Sequence, residues 1–181
     1  GSTTPSLNGA NAIAPLPIDV AAAADYGEAT SVSTTLATVS GWGDTNPAPS
    51  GSPRYPGALR ANSVPLVGES LCQEEYAGIE QSITPRMLCA GSSRPRADSC
   101  YGDSGGPLVV DRDNPARPPA DYVLVGLVDF GNGCAQPGFA GVYTRIADPA
   151  IAHFLASDVA HQAKVAVHKP GRKRKRHRTR R

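Results

Sequence analysis

A chain of 181 residues, 40% hydrophobic and 6% aromatic, fits one domain of ordinary size, and its formal charge of +2 hides an uneven distribution. All 16 acidic residues precede residue 164, together with eight arginines, whereas the other ten Lys and Arg fall between Lys164 and Arg181. An acidic body with a basic tail excludes a protein that is basic throughout, and no apolar run approaches a membrane span, so no membrane partner is expected.

Residues 1–30 are rich in Ala, Pro, Thr and Gly and read as an extended, irregular arm. The opening "GSTTPSLNGANAIAP" has neither a charged n-region nor an apolar h-region, so it is not a signal peptide. An export signal, if the mature protein is secreted, is expected outside this chain. From residue 31, short β-like runs alternate with Gly/Pro loops: "SVSTTLATVSGWG", "ALRANSVPLV", "GPLVVD", "YVLVGLVDFG" and "GVYTRI". Such spacing argues for an antiparallel sandwich or barrel. The stretches "NPAPSGSPRYPG" and "DRDNPARPPAD" are too Pro-rich to be anything but loops.

A single helix signal follows. Asp148 is a suitable N-cap and Pro149 a suitable first residue, and Ile151, Phe154, Leu155 and Val159 recur at helical spacing. The helix is expected over residues 149–164, with its apolar stripe on the barrel. The organisation is therefore an arm (1–30), a barrel with its C-terminal helix (31–164) and a basic tail (165–181). The tail ends in "GRKRKRHRTRR" after Pro170 and cannot bury a core, so it is expected to be disordered. Its charge could hold a polyanion through phosphates, although a solvated run with no dedicated partner is the commoner meaning of such a segment.

The cysteines are Cys72, Cys89, Cys100 and Cys134. An even number fits disulfides and an oxidising compartment, and number alone leaves free buried thiols open. No Cys-x-x-Cys pair occurs and no His lies near a Cys, so no zinc site is expected.

The stretch "DSCYGDSGGPLVV" (Asp98 to Val110) carries the chemistry. Glycines on both sides of Ser104 allow a sharp turn that exposes its hydroxyl and aligns neighbouring N–H groups, as an oxyanion requires. A bare Gly-x-Ser-x-Gly is equally a glycine-rich hairpin. Four more segments agree with the sharper reading: "SGWG" (Ser40 to Gly43), "RMLCAG" (Arg86 to Gly91), "VGLVDFGNGCAQPGFAGVYTRI" (Val125 to Ile146) and the C-terminal helix. With these in order and at this spacing, the chain resembles the trypsin-like, chymotrypsin-fold serine proteases over residues 10 to 157.

The resemblance implies an all-β fold, the second antiparallel barrel of the family's two, with the first missing. It implies roles by position. Ser104 matches the nucleophile, and the N–H groups of Gly102 and Ser104 match the oxyanion hole. Asp98 matches the base of the pocket that selects Arg or Lys, because a carboxylate at the bottom of a narrow, partly dry pocket is costly until a cation joins it. Read alone, Asp98 would be an ordinary loop aspartate. Gly131 and Gly141 match pocket walls that must be small, and Phe130 stands where Trp is usual. Asp103 matches the buried aspartate that pairs with a freshly cut N-terminus on maturation. Cys72–Cys89 and Cys100–Cys134 match two family disulfides; the first would contribute about 3 kcal/mol on the chain-entropy model. No metal and no cofactor are expected.

The mechanism also needs a His to take the serine proton and an Asp to orient it. In the family both precede the serine. Here His153, His161, His168 and His177 all follow Ser104, and each reads as a solvated residue. Asp19, Asp25 and Asp44 are the upstream carboxylates outside the motif, and "NAIAPLPIDV" resembles the segment that follows the triad Asp. The base and its orienting Asp are therefore expected in the missing first barrel. Asp129 departs from the family's Ser, and a second carboxylate there would repel the triad Asp. The expected function is a secreted endopeptidase cleaving after Arg or Lys, truncated and inactive alone. The alternative is a protease-like binding module that does not cleave and whose tail binds polyanions.

Overall fold

A computed structural model describes residues 18, 32–46, 52–91, 98–111 and 122–157. They fall in two units that divide after Asp148. The first contains β1 (Val32–Gly41), β2 (Arg60–Val67), α1 (Glu69–Tyr76), β3 (Met87–Ala90), β4 (Pro107–Asp111), β5 (Tyr122–Phe130) and β6 (Gly141–Arg145). The second contains a helix at 149–157, here α2.

The six strands close into a barrel in the order β1-β2-β3-β6-β5-β4, every pairing antiparallel. Closure removes the exposed sheet edges that invite association. Period-two alternation fills the interior. Val64 and Leu66 of β2, Leu108 and Val110 of β4, and Val123 and Val125 of β5 all point inward and are buried. Truncating one such side chain, for example Leu108→Ala, costs about 2–5 kcal/mol.

Two elements differ from the sequence expectation. α1 is a second helix where the sequence signalled only one. It is two turns long, begins at Gly68 with no side-chain cap, and carries just Cys72 and Tyr76 as buried residues, too few to mark a period. Tertiary contact forms it rather than propensity. The Cys72–Cys89 disulfide fastens it to β3. β3 itself is four residues long, three of them buried, so it shows no alternation to read. The five runs read as strands contain β1, β2, β4, β5 and β6.

α2 begins at Pro149 as expected. Phe154 of this helix is 63% exposed. The expected end at residue 164, most of the arm and the whole basic tail lie outside the described residues.

Candidate functional site

The backbone between Cys100 and β4 is built from two successive turns. The Asp103 N–H donates to the Cys100 carbonyl (2.9 Å) and the Gly106 N–H to the Asp103 carbonyl (2.8 Å). Gly102 and Gly105 have φ of 98° and 78°, in the left-handed region that glycine enters without penalty. Two further bonds tie the turn to β5: the Gly105 N–H donates to the Val128 carbonyl, and the Val128 N–H donates to the Gly106 carbonyl. Ser104 is left on the outside of this frame, exposed to solvent.

Asp103 points the other way and locks the frame. Its carboxylate accepts the Gly43 N–H (2.7 Å) and the Cys100 N–H (2.9 Å). A Cβ at Gly41 or Gly43 would overlap that carboxylate. This gives "SGWG" a mechanical meaning: its glycines let β1 run against Asp103, sixty positions away. The Asp44 N–H adds a bond to the Tyr101 carbonyl (2.8 Å). Asp44, one of the upstream carboxylates, spends Oδ1 on the N–H groups of Asn46 and Arg54 and so builds its own loop.

Beside Ser104 lies a cavity of about 200 Å³ whose lining includes Asp98, Ser104, Asp129, Phe130, Gly131 and Gly141. Asp98 accepts the N–H of Ser99 on Oδ1 and of Ala135 on Oδ2, both at 2.8 Å. Burial pushes its carboxyl up to about 6; the two backbone bonds oppose the rise and the charge of Asp103 adds to it. A Cβ at Gly141 would stand 2.6 Å from Asp98 Oδ1, so only glycine leaves this carboxylate open to the cavity. Ala135, whose N–H holds Asp98, has φ of 51°, a left-handed conformation that L-residues avoid. The Cys100–Cys134 disulfide joins the Asp98 loop to the opposite wall.

The Trypsin family model matches residues 14–153. The chain belongs to the trypsin family.

Among curated relatives of this trypsin-family chain, human transmembrane protease serine 5 is 45% identical over 112 residues, 61% of this chain and 22% of the relative. Trypsin 5G1 of Aedes aegypti is 46% identical over 110 residues, 60% of this chain and 35% of the relative. Transmembrane protease serine 7 of the mouse is 43% identical over 109 residues, 60% of this chain and 12% of the relative. The chain thus spans about a third or less of the relatives it matches. Among the described residues no helix is long and apolar enough to cross a membrane.

Sequence reasoning missed the residues that brace the trypsin-family cavity from behind. Tyr76 of α1 donates its hydroxyl to the Ala140 carbonyl (2.7 Å), and its ring meets Phe130 and Phe139 edge to face. Burial pushes its phenol up to about 12. Glu75 accepts the Ala140 N–H (2.9 Å), so one turn of α1 holds both polar groups of the residue before Gly141. Tyr143 is fully buried, and its hydroxyl lies 3.4 Å from the Ser99 hydroxyl. Burial raises its pKa too. The bracing left no signal in the sequence because Tyr76 and Ala140 are 64 positions apart.

No group among the described residues accepts a hydrogen bond from Ser104, and its N–H and that of Gly102 have no acceptor there. His153 lies on α2, exposed, and His161, His168 and His177 lie outside the described residues, as do Asp19 and Asp25.

Proposed function

We propose that this chain is the nucleophile-bearing and specificity-bearing part of a secreted serine endopeptidase that cleaves after Arg or Lys. The observation that carries the proposal is the Asp98 carboxylate in a cavity that also reaches Ser104 and that only glycine at 141 keeps open. A guanidinium entering the cavity would supply the counter-charge that burial denies to Asp98, and its planar fork suits a carboxylate. The substrate carbonyl would then lie by Ser104. The Ser104 oxygen attacks the carbonyl carbon as a histidine takes its proton. The unengaged N–H groups of Gly102 and Ser104 receive the oxyanion, and the histidine returns the proton to the leaving amine. Water then releases the acyl group from Ser104.

The histidine and its aspartate come, in this reading, from a companion barrel. Leu36, Trp42, Tyr55 and Leu59 are each more than half exposed, and such apolar side chains on one barrel favour a covering partner. The chain alone then binds basic side chains without cleaving after them. Secretion fits the two disulfides. A polyanion held by residues 165–181 rests on their charge alone.

The test pairs two reagents. An arginine ester and a serine-directed fluorophosphonate are added to the chain by itself and to the chain joined to a family first barrel. Slow labelling and no ester turnover alone, with both restored by the companion, is the expected result. Rapid labelling of Ser104 in the isolated chain would contradict the need for a companion.

A further inference from the structure

Glu75 does not line the Asp98 cavity, yet it holds one of the cavity's walls. That wall is the backbone at Ala140 and Gly141, where β6 begins. Glu75 Oε2 accepts the Ala140 N–H at 2.9 Å, across 65 positions of sequence. A hydrogen bond to a carboxylate is stronger than one between neutral groups. The helix that carries Glu75 is itself anchored. Cys72 joins α1 to Cys89 of β3, and the next residue of β3, Ala90, pairs with Gly141. Gly141 is thus fixed from two sides, by Ala90 across the sheet and by Glu75 through Ala140. Tyr76 holds the Ala140 carbonyl but is also a core residue, whereas Glu75 is only partly buried and makes its contact at the surface of α1.

The position of Gly141 matters on the scale of one methyl group. A Cβ there would stand 2.6 Å from Asp98 Oδ1. Asp98 Oδ1 already accepts the Ser99 N–H and Oδ2 the Ala135 N–H, so each oxygen has a limited arc left for a ligand. A guanidinium fork needs both oxygens at once and in one plane, and a wall that shifts beside Oδ1 spoils that fit. An ammonium is a point charge on a flexible stem and can be held by one oxygen. The geometry points to Glu75 as a positioning residue that keeps Gly141 where Asp98 can take a guanidinium with both oxygens, and so favours Arg over Lys. This rests on the reading of Asp98 given above.

The experiment is a calorimetric titration of the full chain, Glu75→Ala, Glu75→Gln and Asp98→Asn with acetyl-arginine-amide and acetyl-lysine-amide. Alanine suits a helix, and the glutamine carbonyl can accept the same N–H, so both Glu75 variants keep α1. Glu75→Ala is expected to weaken the arginine compound about three- to tenfold more than the lysine compound, the range of one lost charge-assisted hydrogen bond passed on in part to the wall. Glu75→Gln should recover most of that difference. A purely structural role would weaken the two compounds alike. A loss in Glu75→Ala no larger for arginine than for lysine, or no recovery in Glu75→Gln, with Asp98→Asn still abolishing binding, would overturn the role of Glu75 and leave that of Asp98. Binding that survives Asp98→Asn, or no binding of either compound to the wild-type chain, would overturn both.

Discussion

Asp98 and Asp103 stand five positions apart in one loop, each accepting two backbone N–H groups, yet their surroundings differ in kind. Asp103 is crowded on one side, where Gly41 and Gly43 run against its carboxylate so closely that no Cβ fits, although it shares with Asp98 the lining of a second cavity of about 870 Å³. Asp98 has open volume in front of it, and burial lifts its pKa to about 6. The same side chain is therefore a fastener at one site and, in the function proposed above, a receptor for a cation at the other. Satisfied backbone bonds hold a carboxylate in place; whether it also waits for a ligand depends on whether space is left beside it.

The sharpest way to break this contrast is to add a methyl group on each side. Gly43→Ala drives a Cβ into the Asp103 carboxylate and breaks its bond to residue 43, which should cost about 3 kcal/mol or more in urea unfolding. Gly141→Ala drives a Cβ toward Asp98 instead, where the cavity can absorb the displaced carboxylate. The expected cost is about 1–2 kcal/mol, with loss of arginine-peptide binding in the same sample. Equal costs at the two glycines would erase the distinction.

The next effect is linked to pH. Because the folded Asp98 carboxyl titrates near 6 and the unfolded one near 3.8, the folded chain holds a proton that the unfolded chain has lost between those values. Stability from this group is therefore fully present below about 4, falls as pH rises toward 6 and stays lower above it. Wild type should lose about 1–3 kcal/mol relative to Asp98→Asn between pH 4 and pH 7, read by chemical unfolding of both. A parallel pH dependence in the two proteins would show that Asp98 is not desolvated. Tyr76→Phe should cost about 1 kcal/mol by removing the bond to Ala140. The smallest change is Ala135→Gly, which relieves a left-handed alanine and should raise stability by no more than about 1 kcal/mol in thermal unfolding.

Much of this site was legible because its parts are adjacent in the chain. Asp98, Cys100, Gly102 and Ser104 lie within seven residues, so local chemistry constrains them jointly. The barrel strands were legible where alternation runs for several residues, as in β2 and β5. β3 and α1 were not, since three buried residues in a row, or two buried residues in eight, carry no period. The bracing of the cavity was hidden for another reason. Tyr76 reaches Ala140, and Gly43 reaches Asp103, across 64 and 60 positions, and no local pattern marks such a meeting. The motif "SGWG" was recognisable, but its physical reason appears only when β1 and the Ser104 loop are seen together.

In the function proposed above, the Asp98 cavity receives a cationic side chain through an ionised carboxylate. That role is tested most directly by titrating the chain with acetyl-arginine-amide and its uncharged citrulline counterpart between pH 5 and pH 8. The expected result is binding of the arginine compound only, constant above pH 7 and weakening below about 6 by up to about tenfold per unit as Asp98 takes up a proton, with none left in Asp98→Asn. Equal binding of the two compounds, or an affinity for the arginine compound that ignores pH and survives Asp98→Asn, would contradict it.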